Sequence, residues 1–452
     1  MTEAVPHAFE QGNRREIFGW SMYDWASSAF STTVVTTLLG PYLSSLAQTA
    51  GSINFLGFSF EPDAFFPTVV SLSVILQVLF LPLLGTIADY STYKKRMLLA
   101  FATVGAVATM LLFFVQTNMP VLGTNGAVLF GGFLFLIANL SFGAAIVFYN
   151  AFLPDIAAPE DRDRVSSFGW ALGYLGGGIL LALNLVIITM MDDTAMAVRI
   201  SLASAGLWWL VFMYLFTARS LKQRPALKKL PPDEGYFSQG VKQIAHTLKT
   251  MYRKYPETLR YLIAYLIYND GIQTVIAVAT IFAASDLGAS ADVLILLVLL
   301  IQFVAFGGAL LFGQMAKKIG AKRSIVVSLV IWVFVVVYAF AWLHDAGWQL
   351  FLLGGLIAIV LGGSQALSRS LFSQMIPRDS ESEYFGFYEI SERGTSWIGT
   401  LVFAAAVQIT GSSRVALLSL ILFFAVGLVL LIPVNVRKAI VDSGNDPEGV
   451  VL

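Results

Sequence analysis

Carboxylates seldom sit inside long apolar runs, yet Asp24, Asp270, Glu389 and Glu392 of this sequence do. An ionisable side chain at the centre of a membrane helix costs roughly 2.5–3.5 kcal/mol on insertion scales, so each faces a protein interior or a water path. Asp24 stands between Tyr23 and Trp25. It reads either as a site for a substrate amine or a proton, lined by its two aromatic neighbours, or as an interfacial aspartate near the end of its run with Tyr and Trp in the aromatic belt. Asp270 follows Asn269, precedes Gln273 by three positions and lies near the middle of its run. Three polar groups so close together need partners in a low dielectric. Those partners are a solute or proton in one reading and other helices in the second. Glu389 and Arg393 are four apart with the acid first, the order that favours an intrahelical ion pair. Glu392 is then left to meet Arg369 of the preceding run. This set reads as a buried charge lattice holding a gate, or as a coupling site in which a membrane carboxylate carries a proton. The matching stretch of the first half, Ser167 to Tyr174, is uncharged, so any coupling is expected in the second half.

The elements that must position these groups follow from composition. Of 452 residues 57% are hydrophobic and only 12% charged, against about 25% charged in soluble domains. Apolar runs of 18 or more residues read as membrane helices. Twelve are expected, at 18–46, 67–88, 97–116, 125–150, 166–190, 197–217, 258–285, 291–313, 324–343, 348–372, 384–409 and 413–434. The first is too long for a signal-peptide core and is read as retained. There is no cysteine, which excludes disulfides and thiol chemistry, and the three histidines fall outside the runs. Net charge is zero, so nothing argues for nucleic-acid binding, and no cofactor or metal is expected.

Placed on this topology, all of the 28 Lys and Arg residues except Arg199, Arg369, Arg393 and Arg414 fall on one side. Acids such as Glu61, Asp63, Asp192, Asp193, Asp286 and Asp345 mark the other. The positive-inside rule then puts both termini in the cytoplasm and requires an even number of spans. The one long hydrophilic interruption, 218–257, divides the chain into an N-terminal six-helix bundle (1–217) and a C-terminal one (258–452). Within it, 236–255 places Phe237, Val241, Ile244, Leu248 and Met251 at helical spacing opposite lysines. That pattern predicts a basic amphipathic helix on the membrane surface.

The two halves echo each other. Gly85, Asp89, Lys94, Lys95 and Arg96 end the second span; Gly313, Lys317, Lys318, Lys322 and Arg323 end the eighth. Leu153-Pro154 with Phe168-Gly169 matches Ile376-Pro377 with Phe385-Gly386. A duplicated six-span unit is the layout of a secondary transporter with its site between the halves.

Gly85-xxx-Asp89 followed by a basic run resembles the signature loop of the major facilitator superfamily. The resemblance implies a gate in which the glycine lets helices approach and the aspartate sits at a helix N-terminus beside basic partners, here Lys94, Lys95 and Arg96; the charge lattice of Arg369 and Arg393 with Glu392 and Glu389 is a second candidate for that gate. The sequence departs from the signature at Thr92, where a second glycine is expected, and at Lys317, where the second copy would carry the acid. A narrower resemblance rests on Gly19-Trp20-Ser21-Met22-Tyr23-Asp24-Trp25, on Tyr149-Asn150-Ala151-Phe152-Leu153-Pro154 with Phe168-Gly169-Trp170 and Tyr174, and on Tyr268-Asn269-Asp270-Gly271. In that order these motifs look like the autophagy-related vacuole effluxer family. They add Asn150, Trp170 and Tyr174 to the candidate solute residues, and imply a twelve-helix all-α membrane protein that exports amino acids. With no eukaryotic signal, a bacterial member in the plasma membrane, acting as a monomer, is expected.

Other classes fare worse. No P-loop lysine motif is present, so the glycine pairs read as packing sites rather than phosphate loops. No HExxH or GxSxG marks an intramembrane enzyme. A non-transporting receptor or scaffold on the same fold, and transport of a sugar, organic acid or drug, remain as alternatives. A scaffold would bury its polar groups with no central cavity, whereas a transporter would line one with Asn269, Asp270 and Glu392.

Overall fold

The computed structural model describes residues 11–452 apart from 56, 227, 229–235 and 394–395; the side chains of 63, 236–240, 280, 281, 285, 291, 393, 396 and 397 are also outside the description. The expected Glu389–Arg393 pair therefore lies outside the described residues, as does the Phe237 side chain.

The chain opens with α1 (Arg14–Ala29), which runs through a π-helical stretch (Phe30–Leu38) into α2 (Leu39–Ala50). The widening has a local cause. Thr32 to Thr37 are six consecutive β-branched residues, which crowd an α-turn, and the Thr36 and Thr37 hydroxyls donate to carbonyls five residues back, Ser31 O at 2.9 Å and Thr32 O at 2.7 Å. A hairpin of β1 (Ile53–Phe55) and β2 (Phe58–Phe60) leads to α3 (Pro62–Asp89), α4 (Lys94–Leu111), α5 (Gly123–Ala151), α6 (Arg162–Met190) and α7 (Thr194–Phe212). The linker carries α8 (Tyr236–Lys254). Then follow α9 (Pro256–Ser285), α10 (Ala291–Ile319), α11 (Ala321–Ala341), α12 (Trp348–Gln374), α13 (Glu381–Arg393), α14 (Ser396–Thr410) and α15 (Leu420–Leu431).

Among the described residues, ten helical spans are long and apolar enough to cross a bilayer. The two expected spans outside that set are 18–46, covered by α1, the π-helical stretch and α2 and holding Asp24, and 384–409, where α13 carries Glu389 and Glu392 and α14 follows. The twelve expected spans are consistent with these helices. The first described residues and the C-terminal segment lie on one face. The Gly12 N–H donates to the Ile156 carbonyl at 2.9 Å, and the Asn445 side chain donates to the carbonyls of Gln374 (3.0 Å) and Ile376 (2.8 Å). We call this the terminal face.

The linker crosses that face as a strap. Arg224 pairs with Glu16 at 2.8 Å and reaches Asp155 at 3.9 Å. Lys228 pairs with Glu383 at 3.7 Å and donates to the Ser380 hydroxyl at 2.5 Å. Burial disfavours the Lys228 ammonium, but the carboxylates of Asp89 and Glu383 outweigh it and hold its pKa above the usual range. The expected amphipathic helix packs on α3 and α9. Its Thr247 and Met251 are buried while Val241 and Leu248 stay about half exposed. The reason is polar: the Thr247 hydroxyl donates to Glu383 at the head of α13, a partner no periodicity reveals.

Candidate functional site

A cavity of about 970 Å³ lies between the first six and the last six spans. The π-helical stretch and its flanks form one wall, through Ser28, Ser31, Thr32 and Thr36, while α9, α10, α11 and α12 form the other. It extends to Leu294, Leu343 and Leu350 beside the loops opposite the terminal face, and its polar groups gather at the inner end, where Trp170, Tyr174, Gln273, Gln365 and Glu392 meet. Among the described lining residues, Glu392 is the only charged one. Across the cavity the Gln302 amide donates to the Thr32 hydroxyl at 2.7 Å and joins the walls.

Beneath the cavity floor lies a buried charge centre. Arg369 of α12 points at Asp24 of α1, with both terminal nitrogens 3.2 Å from Asp24 Oδ2. Its Nε donates to the Ser166 hydroxyl and its Nη2 to the Ser166 carbonyl, both at 2.9 Å. The guanidinium also stacks over Trp20, Tyr149 and Trp170, at 4.9, 5.4 and 5.4 Å from the ring centroids. Tyr149 completes the carboxylate shell by donating to Asp24 Oδ2 at 2.6 Å. Asn150 accepts from Arg369 at 3.3 Å and donates to Glu389 Oε1 at 2.9 Å. A cation, two acids and an amide thus tie α1 and α5 to α12 and α13, where a buried charge is tolerated only because it is paired and hydrogen-bonded. Trp170 separates this centre from the cavity.

Two seams close the terminal face around it. In the first, α3 lies so close to α13 that a Cβ on Gly85 would overlap the Ser382 backbone and one on Gly386 would meet Pro82 Cα at 2.8 Å. Asp89 then caps α13, accepting from the Ser382 N–H at 3.0 Å and the Glu383 N–H at 2.8 Å. A carboxylate there satisfies orphan amides and the helix dipole together. In the second seam α6 meets α10 and α12. Ser166 donates to the Ala366 carbonyl at 2.7 Å, Arg162 to the Ser373 carbonyl at 2.8 Å and Ser370 to Asp163 at 2.5 Å.

The residues singled out from the sequence separate into groups. Trp170, Tyr174, Gln273 and Glu392 line the cavity. Asp24, Asn150, Glu389 and Arg369 form the charge centre, with the Tyr23 ring tilted against Tyr149 at 4.9 Å. Several expectations fail. Arg369 takes Asp24 rather than Glu392 as its ion-pair partner, because the fold brings α1 against α12. Asp270 does not line the cavity: it turns toward α14, accepts the Gly399 N–H at 2.9 Å and leaves its other oxygen without a partner among the described residues. Asn269 is buried behind the wall, donating to the Glu392 carbonyl at 3.0 Å and accepting from Gln365 at 3.4 Å, so it positions the lining rather than joining it. Trp25 faces Trp208 and Phe212 within the first half, at 5.6 and 5.7 Å. The basic run also divides. Lys94 pairs with Asp155 at 3.3 Å, Arg96 lies over Tyr93 at 5.5 Å and Lys95 is half-buried.

The model of the vacuole effluxer Atg22-like family matches residues 12–162 and 157–444. The chain belongs to that family. The MFS-type transporter YxiO of Bacillus subtilis is 31% identical over 94% of this chain and 97% of its own length. Autophagy-related protein 22-1 of Penicillium rubens is 24% identical over 94% and 91%. Among solved structures, the human organic anion transporter MFSD10 superposes with a TM-score of 0.68 at 15% identity, covering 93% of this chain and 100% of that one. The transporter FucP in its outward conformation gives 0.64 at 13%, covering 92% and 97%. This effluxer-family chain therefore has the major facilitator fold and is a multi-pass membrane transporter. Sequence reasoning missed several contributors to its site. Gln302 and Gln365 carried a signal, as lone amides in apolar spans. Trp20 and Tyr149 lay inside quoted motifs but were not singled out, and Ser166 gave no signal.

Proposed function

We propose that this transporter exports small organic solutes by alternating access, rocking the two six-helix halves about the site between them, and that amino acids are the solute class. The observation that carries the reading is the cavity: it reaches one face, narrows to a polar end with one acid, and stops at the Asp24–Arg369 centre that bridges the halves. A site closed on one side by breakable interactions between halves is what alternating access requires. The positive-inside rule assigns the basic terminal face to the cytoplasm, so the described state opens outward. The bacterial relative supports the plasma membrane. Glu392 suits the ammonium group of an amino acid better than it suits an anionic solute, and the apolar walls suit a side chain. Proton coupling would run through the same helix. Glu389, one turn from Glu392, holds Asn150 of the other half, so a proton or ammonium at the cavity end can be felt by the gate.

The test is thermal stabilisation of the purified full chain by the twenty amino acids, sugars, organic acids and phosphate. A ligand at a hundred times its Kd stabilises the binding state by about 2.7 kcal/mol. The expected result is an amino-acid hit, lost in Glu392→Gln and kept in Asp270→Asn. A hit confined to sugars or organic acids would overturn the solute class. A hit lost in Asp270→Asn and kept in Glu392→Gln would move the site to α14.

A further inference from the structure

We propose that the groove on the terminal face between α1, α6 and α10 holds the phosphate of an anionic phospholipid headgroup. The groove has a volume of about 770 Å³ and is lined by Arg14, Arg164 and Lys317, one cation from each helix, all exposed. These are residues of helix ends on the basic side, at the level of lipid headgroups. One and two turns deeper its walls become apolar, with Phe18, Phe168 and Leu310, where acyl chains begin. Basic pockets between membrane helices are suited to anionic headgroups.

The geometry of the two seams sharpens the choice of ligand. In the α3–α13 seam a close glycine, Gly85, is followed four residues on by Asp89, whose carboxylate caps α13. In the α6–α10 seam the equivalent glycine is Gly313, where a Cβ would meet the Ser167 side chain at 2.7 Å. Four residues on stands Lys317, and α6 begins with no side-chain cap. The second seam thus has the close approach, an uncapped helix start and a cation where the first has an anion of its own. An external anion completes it. A second observation points the same way: the Ser167 hydroxyl is buried, lines the groove and has no hydrogen-bond partner among the described residues. Arg164 also meets Asp161 at 2.9 Å, an exposed pair that leaves other guanidinium donors available. Because α1 and α6 belong to the first half and α10 to the second, an occupied groove ties the halves together on this face.

The experiment is native mass spectrometry of the full chain in detergent. Phosphatidylglycerol and phosphatidylcholine with matched acyl chains are titrated separately, and inorganic phosphate serves as a third probe. Variants are Arg14→Gln/Arg164→Gln/Lys317→Gln in the groove, Ser167→Ala, and Lys249→Gln/Arg253→Gln/Lys254→Gln on α8 as a charge-matched control. The expected result is one phosphatidylglycerol held at least tenfold tighter than phosphatidylcholine, since each of the three juxtamembrane cations contributes up to about a fivefold factor. The groove variant should lose that preference and the control keep it. Ser167→Ala should weaken lipid retention with no fall in melting temperature, because it removes a hydroxyl that is unpaired without lipid. Equal losses in groove and control variants, or no headgroup preference in the wild type, would overturn the proposal. Displacement of the lipid by millimolar phosphate would assign the groove to a soluble anion instead.

Discussion

Gly85→Ala is expected to drive the protein out of the conformation described here. The added methyl would overlap the Ser382 carbonyl group and approach Glu383 Cα to 3.0 Å. These are backbone atoms at the start of a helix, so no side-chain rotation relieves the clash, and α3 must part from α13. Asp89 then loses both capping amides, a change of about 1 kcal/mol by itself. With steric strain added, a bias of about 3 kcal/mol shifts a two-state population by more than a hundredfold. The chain has no cysteine, so a single Thr36→Cys at the cavity wall reports its opening through maleimide labelling without background. Labelling should slow at least tenfold in Gly85→Ala, by the same arithmetic. Gly355→Ala is the matched control, since a Cβ there meets nothing within 4 Å. Unchanged labelling in Gly85→Ala would show that the α3–α13 seam does not control access.

Asp24→Asn should be the most destabilising single change in the charge centre. Arg369 would remain buried among Trp20, Tyr149 and Trp170 with its carboxylate gone. Stranding one partner of a buried pair typically costs about 3–5 kcal/mol, whereas removing both is often near neutral. Unfolding of Asp24→Asn, Arg369→Gln and the double variant, in a double-mutant cycle, should therefore show two large losses and a smaller combined one. Transport should be absent from all three, because the double variant recovers stability and not the reversible tie between halves. A single variant as stable as wild type would mean the pair contributes nothing to the closed face.

These two predictions differ in how far the sequence alone could have led to them. The Gly85–Asp89 pair was readable through its resemblance to the major facilitator signature loop, and charges on alternate loops ordered the spans. The partners were not readable. Asp24 and Arg369 are 345 positions apart, and no pattern along a chain tells which of several acids a buried arginine meets. The face of Asp270 was hidden for a different reason: α9 is apolar around most of its circumference, so its sequence has no polar stripe to show which side turns to the cavity and which to α14. The π-helical stretch was equally invisible as a register change, although Thr32 to Thr37 carried its cause.

The strap over the terminal face has a consequence for turnover. It is anchored to the first half by Arg224 on Glu16 and to the second by Lys228 and Thr247 on Glu383. When that face opens, one anchor must yield, and the candidates differ in exposure. The Arg224–Glu16 pair is almost dry, with 5% and 2% side-chain exposure, while Lys228 is 16% exposed. Mobile ions weaken partly wet pairs more than dry ones, since the Debye length falls from about 30 Å at 0.01 M to about 3 Å at 1 M salt. Ionic strength in the compartment that bathes the strap should thus act as a brake setting, with transport slowest in dilute buffer and faster as salt loosens the Lys228 end.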